Sequence, residues 1–521
     1  MTVKESPTIG TASETMKEPA TQSEGFDHTA EASPRTIYSK VSGWYATPLF
    51  QLILVALICF LCPGMFNALS GMGGGGMTDA TLVDKMNTAL YVTSAFTSFF
   101  SGTIVNRLGV RLTLACGGIG YCIYVASLLA SLHKHVPGFN IFAGFLLGVC
   151  SSLLWTAQGT IMVSYPLEHQ KGRFFTLFWS IFNVGSCVGS LIVLANSINE
   201  RKNVNVPDST YIVFVVLTFL GSVIGLFMAD AKKVVRSDGS RVILMKNPSW
   251  KSELVGLWTT LRSEPSVLLL FPMFWSSNWF ISYQTNSVNS AYFNTRTKAL
   301  NTFLYYIAHI LGACFISTLD LNYFRRTIRA RGMLVILFAL TMIIHGGGYV
   351  FQKQYTRPPG GVKPSINTDW TDSNYGGPMF LYFSYGFYDV VWQGAVYWYV
   401  ISLFLHINAS NPWDLTRETN SFRYIGTISN SGRKSANYVG FYKGIQSAGA
   451  GVMWAWDSTH PAYMAEFASN WGLLAGSVIC AAPMIWLKIK DHVAVEEDLV
   501  GTDEKLEDVK PVDTEMRERV A

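Results

Sequence analysis

A chain of 521 residues that is 50% hydrophobic and only 14% charged, with a mean hydropathy of +0.26, is not composed like a soluble domain, where about a quarter of the residues are charged. Its formal charge of +5, from 39 basic against 34 acidic side chains, is too small an excess for a nucleic-acid binder. The composition points to an all-α membrane protein whose main partner is the lipid bilayer.

Residues 1–41 are rich in Ser, Thr, Glu and Pro and nearly devoid of large apolar side chains, so they are expected to form a disordered tail. No basic start, short apolar run and small-residue cleavage site precede the first apolar run, which should itself direct the chain to the membrane. Apolar stretches of spanning length follow at 46–68, 87–105, 112–132, 139–165, 174–195 and 211–229, all within a unit of 42–229. A polar linker, 230–264, separates these from a second unit, 265–488, with stretches at 267–283, 300–319, 333–351, 378–405, 437–456 and 467–487. Six, linker, six is the hydropathy pattern of twelve transmembrane helices in two six-helix bundles. Residues 489–521 form a mostly acidic tail with no anchoring role. Lys and Arg number 19 in the linker and the loops on its side, against 9 in the loops of the other set, which predicts a cytoplasmic linker and two cytoplasmic termini.

All eight cysteines fall in apolar runs without zinc-like partners, and are expected to be packed thiols. His309 and His345 stand alone in the eighth and ninth spans and should be hydrogen-bonded packing residues. With no G-x-S-x-G elbow, no H-E-x-x-H and no metal-ligand cluster, neither an enzyme nor a cofactor is expected.

Between the second and third spans the chain reads Gly102-Thr-Ile-Val-Asn106-Arg107-Leu-Gly109-Val110-Arg111. This resembles the G-x-x-x-D-R-x-G-R-R loop of the major facilitator superfamily, which implies that family's fold. Glycines serve where a tight turn brings two helices together, and fixed arginines pair with carboxylates and helix ends as the halves rock. Asn106 replaces the family's acid and Val110 one arginine; Glu168, in the next loop on that side, is the candidate replacement charge. The run Cys62-Pro63-Gly64-Met65-Phe66-Asn67-Ala68-Leu69-Ser70-Gly71-Met72 with Gly73 to Gly76, and the later Phe441-Tyr442-Lys443-Gly444-Ile445-Gln446-Ser447-Ala448-Gly449, are similar to the Unc-ninety-three-like branch, particularly its fungal members. Read on its own, the first run supplies a flexible, close-packing loop after a kink at Pro63.

The resemblance implies either of two functions. One is secondary transport of a small solute or ion by alternating access. The other is a non-transporting regulatory or escort subunit for another membrane protein, as some animal members act, and plant members are linked to potassium balance. The fold suits the plasma membrane or a vacuolar or endosomal membrane.

Across the twelve apolar stretches only Asp389 and Lys443 are formally charged, and a charge at mid-bilayer costs about 2.5–3.5 kcal/mol. Gln393 lies one turn beyond Asp389; Gln446 and Ser447 lie one turn beyond Lys443. Asn278, Ser282, Asn286 and Asn289 form a stripe on the seventh span, and Trp155 and Gln158 pair on the fourth. The resemblance places the first, fourth, seventh and tenth spans around a central path, so these stripes are expected to face one cavity. Counting residues from the span ends puts Asp389 and Lys443 roughly 15 Å apart in depth, against a direct salt bridge.

Overall fold

The computed structural model describes residues 44–77, 80–166, 171–230, 233–234, 262, 265–318, 324–358, 366–404 and 432–489. The two tails, most of the linker and Glu168 lie outside these residues, as does the side chain of Asn106.

The described chain is almost entirely helical, as its long apolar runs require: in hydrocarbon every backbone amide must find its partner within its own segment. The first span is two helices, α1 (Pro48–Leu61) and α2 (Pro63–Gly71), broken at Cys62 (φ −95°, ψ −79°) because Pro63 has no amide hydrogen to continue the ladder. α3 (Thr81–His133) runs for 53 residues and is broken at Gly109 (φ 77°, ψ 157°). Its two arms fold back on each other, and Tyr124 of the second donates to Asn87 Oδ1 of the first at 2.8 Å. Then come α4 (Pro137–Ser164), α5 (Lys171–Asn196), α6 (Asp208–Leu226) and, in the second half, the short α7 (Phe271–Ser276). The chain continues through a single turn, Phe280–Ser282, and a π-helical stretch, Tyr283–Ser290. α8 (Thr295–Ser317), α9 (Arg326–Gln352), α10 (Gly376–Phe404), α11 (Gly432–Asp457) and α12 (Tyr463–Lys488) complete it.

Among the described residues, nine helical segments are long and apolar enough to cross a membrane. α10 and α11 have the length, 29 and 26 residues, but carry polar side chains along it, and the expected seventh span is broken. Two hydrophobic cores are present. One draws on residues 52–234 with Ala299, the other on residues 270–489 with Cys187. The halves meet where the first arm of α3 packs on α11, and α5 on α8. Phe96, Val216, Ile343 and Ile479 stand exposed on the outside, which water would penalise and lipid does not.

The connections after α2, α5, α9 and α11 gather at one end, the glycine-loop end, where the halves are bonded together. Gly73 to Gly76 all have positive φ (71°, 55°, 60° and 84°), a sequence of conformations that only glycine adopts cheaply. The sequence reading of this run as flexible is corrected: the four glycines are buried or pinned, with the Gly74 amide donating to Asn286 Oδ1, Tyr211 to the Gly75 carbonyl and the Val206 amide to the Gly76 carbonyl. At the same end Thr368 bridges Phe293, its carbonyl accepting from the Asn294 amide and its own amide donating to the Tyr292 carbonyl, and Asp369 is gripped by Arg296, Asn294, Thr297 and Thr371.

Candidate functional site

α10 is rich in Tyr, Trp and Gly, and it presents Asp389 to the interior of the second half, 3% exposed. Gln393 lies one helical turn further on, and its Nε2 donates to Asp389 Oδ1 at 2.6 Å. Gln393 Oε1 accepts from Gln446 Nε2 at 3.2 Å, and Gln446 Oε1 accepts from Lys443 Nζ at 2.8 Å. Lys443 and Asp389 are therefore not in direct contact. Two side-chain amides, aligned head to tail, run from the ammonium to the carboxylate, so their dipoles oppose neither charge and reinforce one another. The second Gln446 Nε2 hydrogen is donated to Asn278 Oδ1 at 2.8 Å, which ties the start of the broken seventh segment to the chain. Lys443 Nζ also lies 5.1 Å from the Tyr397 ring centre and 5.4 Å from that of Tyr442.

Asp389 Oδ2 faces Tyr305 Oη at 3.0 Å and His309 Nε2 at 3.4 Å, the latter not aligned as a hydrogen bond. Tyr305 Oη is also 2.9 Å from Gln284 Oε1. A phenol has one hydrogen to donate, and an ionised carboxylate and an amide oxygen both only accept. Tyr305 therefore serves one of these two acceptors at a time. His309, expected as a packing residue, sits beside the carboxylate. Its separation of 80 positions from Asp389 leaves no local signal of that proximity.

The stripe expected along the seventh span does not face one cavity. Asn278 sits in the break between α7 and the turn at Phe280 and meets Gln446, whereas Ser282 and Asn286 converge on Asp457 and Asn289, further along the π-helical stretch, parts from them. Ser282 donates to Asp457 Oδ2 at 2.6 Å, and Asn286 Nδ2 donates to Asp457 Oδ2 and to Asp84 Oδ1, both at 2.8 Å. Asn289 turns instead to the Gly71 carbonyl at 2.8 Å. Arg357 Nη2 reaches Asp457 Oδ1 at 2.7 Å and Glu466 Oε1 at 3.1 Å, while Ser287 donates to Glu466 Oε2. Asp84, Asp457 and Glu466 are 2%, 1% and 0% exposed. Outside the apolar stretches, α3, α8, α11 and α12 continue by one to six residues and bury five further charged side chains, Asp84, Arg296, Lys298, Asp457 and Glu466. Carboxylates one turn outside an apolar run were the available signal. On the fourth span Trp155 packs edge-on against Phe182 at 5.5 Å, and among the described residues neither Trp155 nor Gln158 bonds to the Lys443–Asp389 chain. No group of three His, Cys, Asp or Glu among the described residues is arranged to hold a metal ion.

The model of the Major Facilitator Superfamily matches residues 49–404. An UNC93-like protein of Schizosaccharomyces pombe is 46% identical, over 86% of this chain and 84% of its own length. The chain belongs to the UNC93-like branch of the major facilitator superfamily. UNC93-like protein 1 of Arabidopsis thaliana is 37% identical over 86% of this chain and 92% of its own, and Notoamide biosynthesis cluster protein O' of Aspergillus versicolor is 24% identical over 85% and 90%.

In this UNC93-like chain the superfamily's motif falls on the break in α3. Gly109 supplies a backbone conformation essentially closed to other residues, and a side chain there would meet nothing within 4 Å, so its service is to the turn and not to close helix approach. Gly102 is half-buried on the first arm. Arg107 and Arg111 are exposed and make no ion pair among the described residues.

Proposed function

We propose that this multi-pass UNC93-like protein is a secondary transporter that moves a small solute or ion by alternating access between two six-helix bundles, and that it is not an enzyme. In this reading Asp389, Gln393, Lys443, Gln446 and Asn278 carry the solute or its coupling ion, and the Gly102–Arg111 loop biases the switch. The observation that carries it is the amide-linked chain from Lys443 to Asp389. A carboxylate and an ammonium held inside hydrophobic helices, separated and bridged by neutral amides, cost several kcal/mol that a purely structural core avoids with apolar side chains. The bonded glycine-loop end corresponds to the closed gate. The basic-residue count assigns that end to the outside and the Arg107 end to the cytoplasm.

Purified protein in liposomes under an imposed pH gradient tests this. Uptake or efflux of a solute, lost in Asp389→Asn, is the expected result. A folded protein that moves neither proton nor any solute of a broad panel, and that instead co-purifies stoichiometrically with another membrane protein, gives the regulatory-subunit function. Orientation is checked separately by tagging both ends in intact cells. Loss of either tag to added protease refutes cytoplasmic termini.

A further inference from the structure

A crevice between α5, α8 and α10 ends at the Lys443–Asp389 chain. Phe175 and Trp179 of α5, Ile316 of α8, and Val390 and Tyr397 of α10 form its apolar walls, and Gln393, with Thr176 and Ser317, supplies its polar groups. Tyr397 is also the ring over which Lys443 Nζ sits, at 5.1 Å. The ammonium has three hydrogens to donate, and one is taken by Gln446 Oε1. Among the described residues no carboxylate lies within ion-pair distance of it. The crevice therefore has flat aromatic walls, and against its Tyr397 wall, one amide removed from Gln393, lies a half-buried cation with no carboxylate at ion-pair distance among the described residues; Asp389 is held at the far end of two amides.

Resting on the transporter reading, we infer that the solute is a small amphipathic monoanion, an apolar or aromatic body with one carboxylate-like group, whose charge docks on Lys443. An anion there takes the ammonium hydrogens that Gln446 leaves free, and the side-chain amides of Gln446 and Gln393 stay beside it as neutral polar groups.

Three probes sharing one body test this: naphthalene-2-carboxylate, the neutral naphthalene-2-carboxamide and the cationic naphthalen-2-ylmethylammonium. Binding to the purified full chain is read by quenching of tryptophan fluorescence. The carboxylate is expected to bind at least about tenfold more tightly than either analogue, the worth of one charge-assisted hydrogen bond. Lys443→Gln should abolish the preference and Lys443→Arg should keep it, so misfolding of the first variant does not remove the test. Equal affinity for the three probes, failure of the carboxylate to bind, or a preference retained in folded Lys443→Gln overturns the inference. These readouts need no flux. Binding with the stated preference but without transport refutes the transporter reading alone, whereas transport of the cationic probe refutes the inference alone.

Discussion

Asn286 bonds the two halves together at the glycine-loop end, and under the proposed alternating access its loss should open that end selectively. Its side chain accepts from the Gly74 amide at 2.9 Å and donates to Asp84 at 2.8 Å, both in the first half, while also donating to Asp457 in its own half. When the end opens, water replaces the two crossing partners, so their contribution belongs to the closed state. A neutral buried bond is worth about 0.5–1.5 kcal/mol and one to a carboxylate about 1.5–3, giving roughly 2–4.5 kcal/mol for the pair. At about 1.4 kcal/mol per factor of ten, Asn286→Ala should shift the open-to-closed ratio by roughly 30-fold to 2,000-fold. The assay is the rate at which a membrane-impermeant maleimide, added from the glycine-loop side, modifies a reporter cysteine at Asn67 in a chain whose eight native cysteines are replaced. Asn67 lies beneath the closed loop, with its carbonyl bonded to Tyr306. Asn286→Asp, which sets a third carboxylate beside Asp84 and Asp457, should label at least as fast as Asn286→Ala. A labelling rate within about twofold of the parent in both variants refutes the reasoning, because it leaves the crossing bonds with less than about 0.5 kcal/mol.

Three further outcomes are expected. Asp389→Asn should abolish transport with near-normal folding and trafficking, whereas Lys443→Ala should lower it in a graded way, measured as initial uptake rates in liposomes; a fully active Asp389→Asn removes the carboxylate from the mechanism. Arg107→Ala should shift the balance of reporter-cysteine accessibility at the two ends while expression stays near normal, and unchanged accessibility leaves the loop with no part in the switch. Asp369 lies in the connection before α10, and the Arg296 guanidinium, then the hydrogen bonds from Asn294, Thr371 and Thr297, hold its carboxyl well below the usual carboxylate range. Its stabilisation is therefore complete above the unfolded value of about 4 and lost as pH falls further, so the melting temperature should drop on acidification below about pH 4, and Asp369→Asn should lower it at neutral pH and flatten that acid limb.

Much of the architecture is written locally. Apolar runs long enough to cross hydrocarbon and the proline at 63 are statements about neighbouring residues, and a helix in lipid has no other source of hydrogen bonds. The family was legible for the same reason, because Cys62 to Gly76 and Gly102 to Arg111 are contiguous strings. Asp389 and Gln393 were also within reach as a pair, being one turn apart on one helix, and so were Lys443 and Gln446.

What the sequence alone did not determine is who meets whom. Asn286 joins Asp84 across 202 positions and Asp457 across 171, and Gln446 finds Gln393 across 53, contacts that exist only once several helices pack side by side. Helical periodicity brought Ser282 and Asn286 together on Asp457 but misplaced Asn278 and Asn289, since a break before Phe280 and a π-helical stretch alter the angle per residue without announcing themselves in composition. Asp84, Asp457 and Glu466 lie outside the apolar runs. Tertiary packing buried them, because Arg357, Asn286, Ser282 and Ser287 together supply the donors that let these carboxylates leave water.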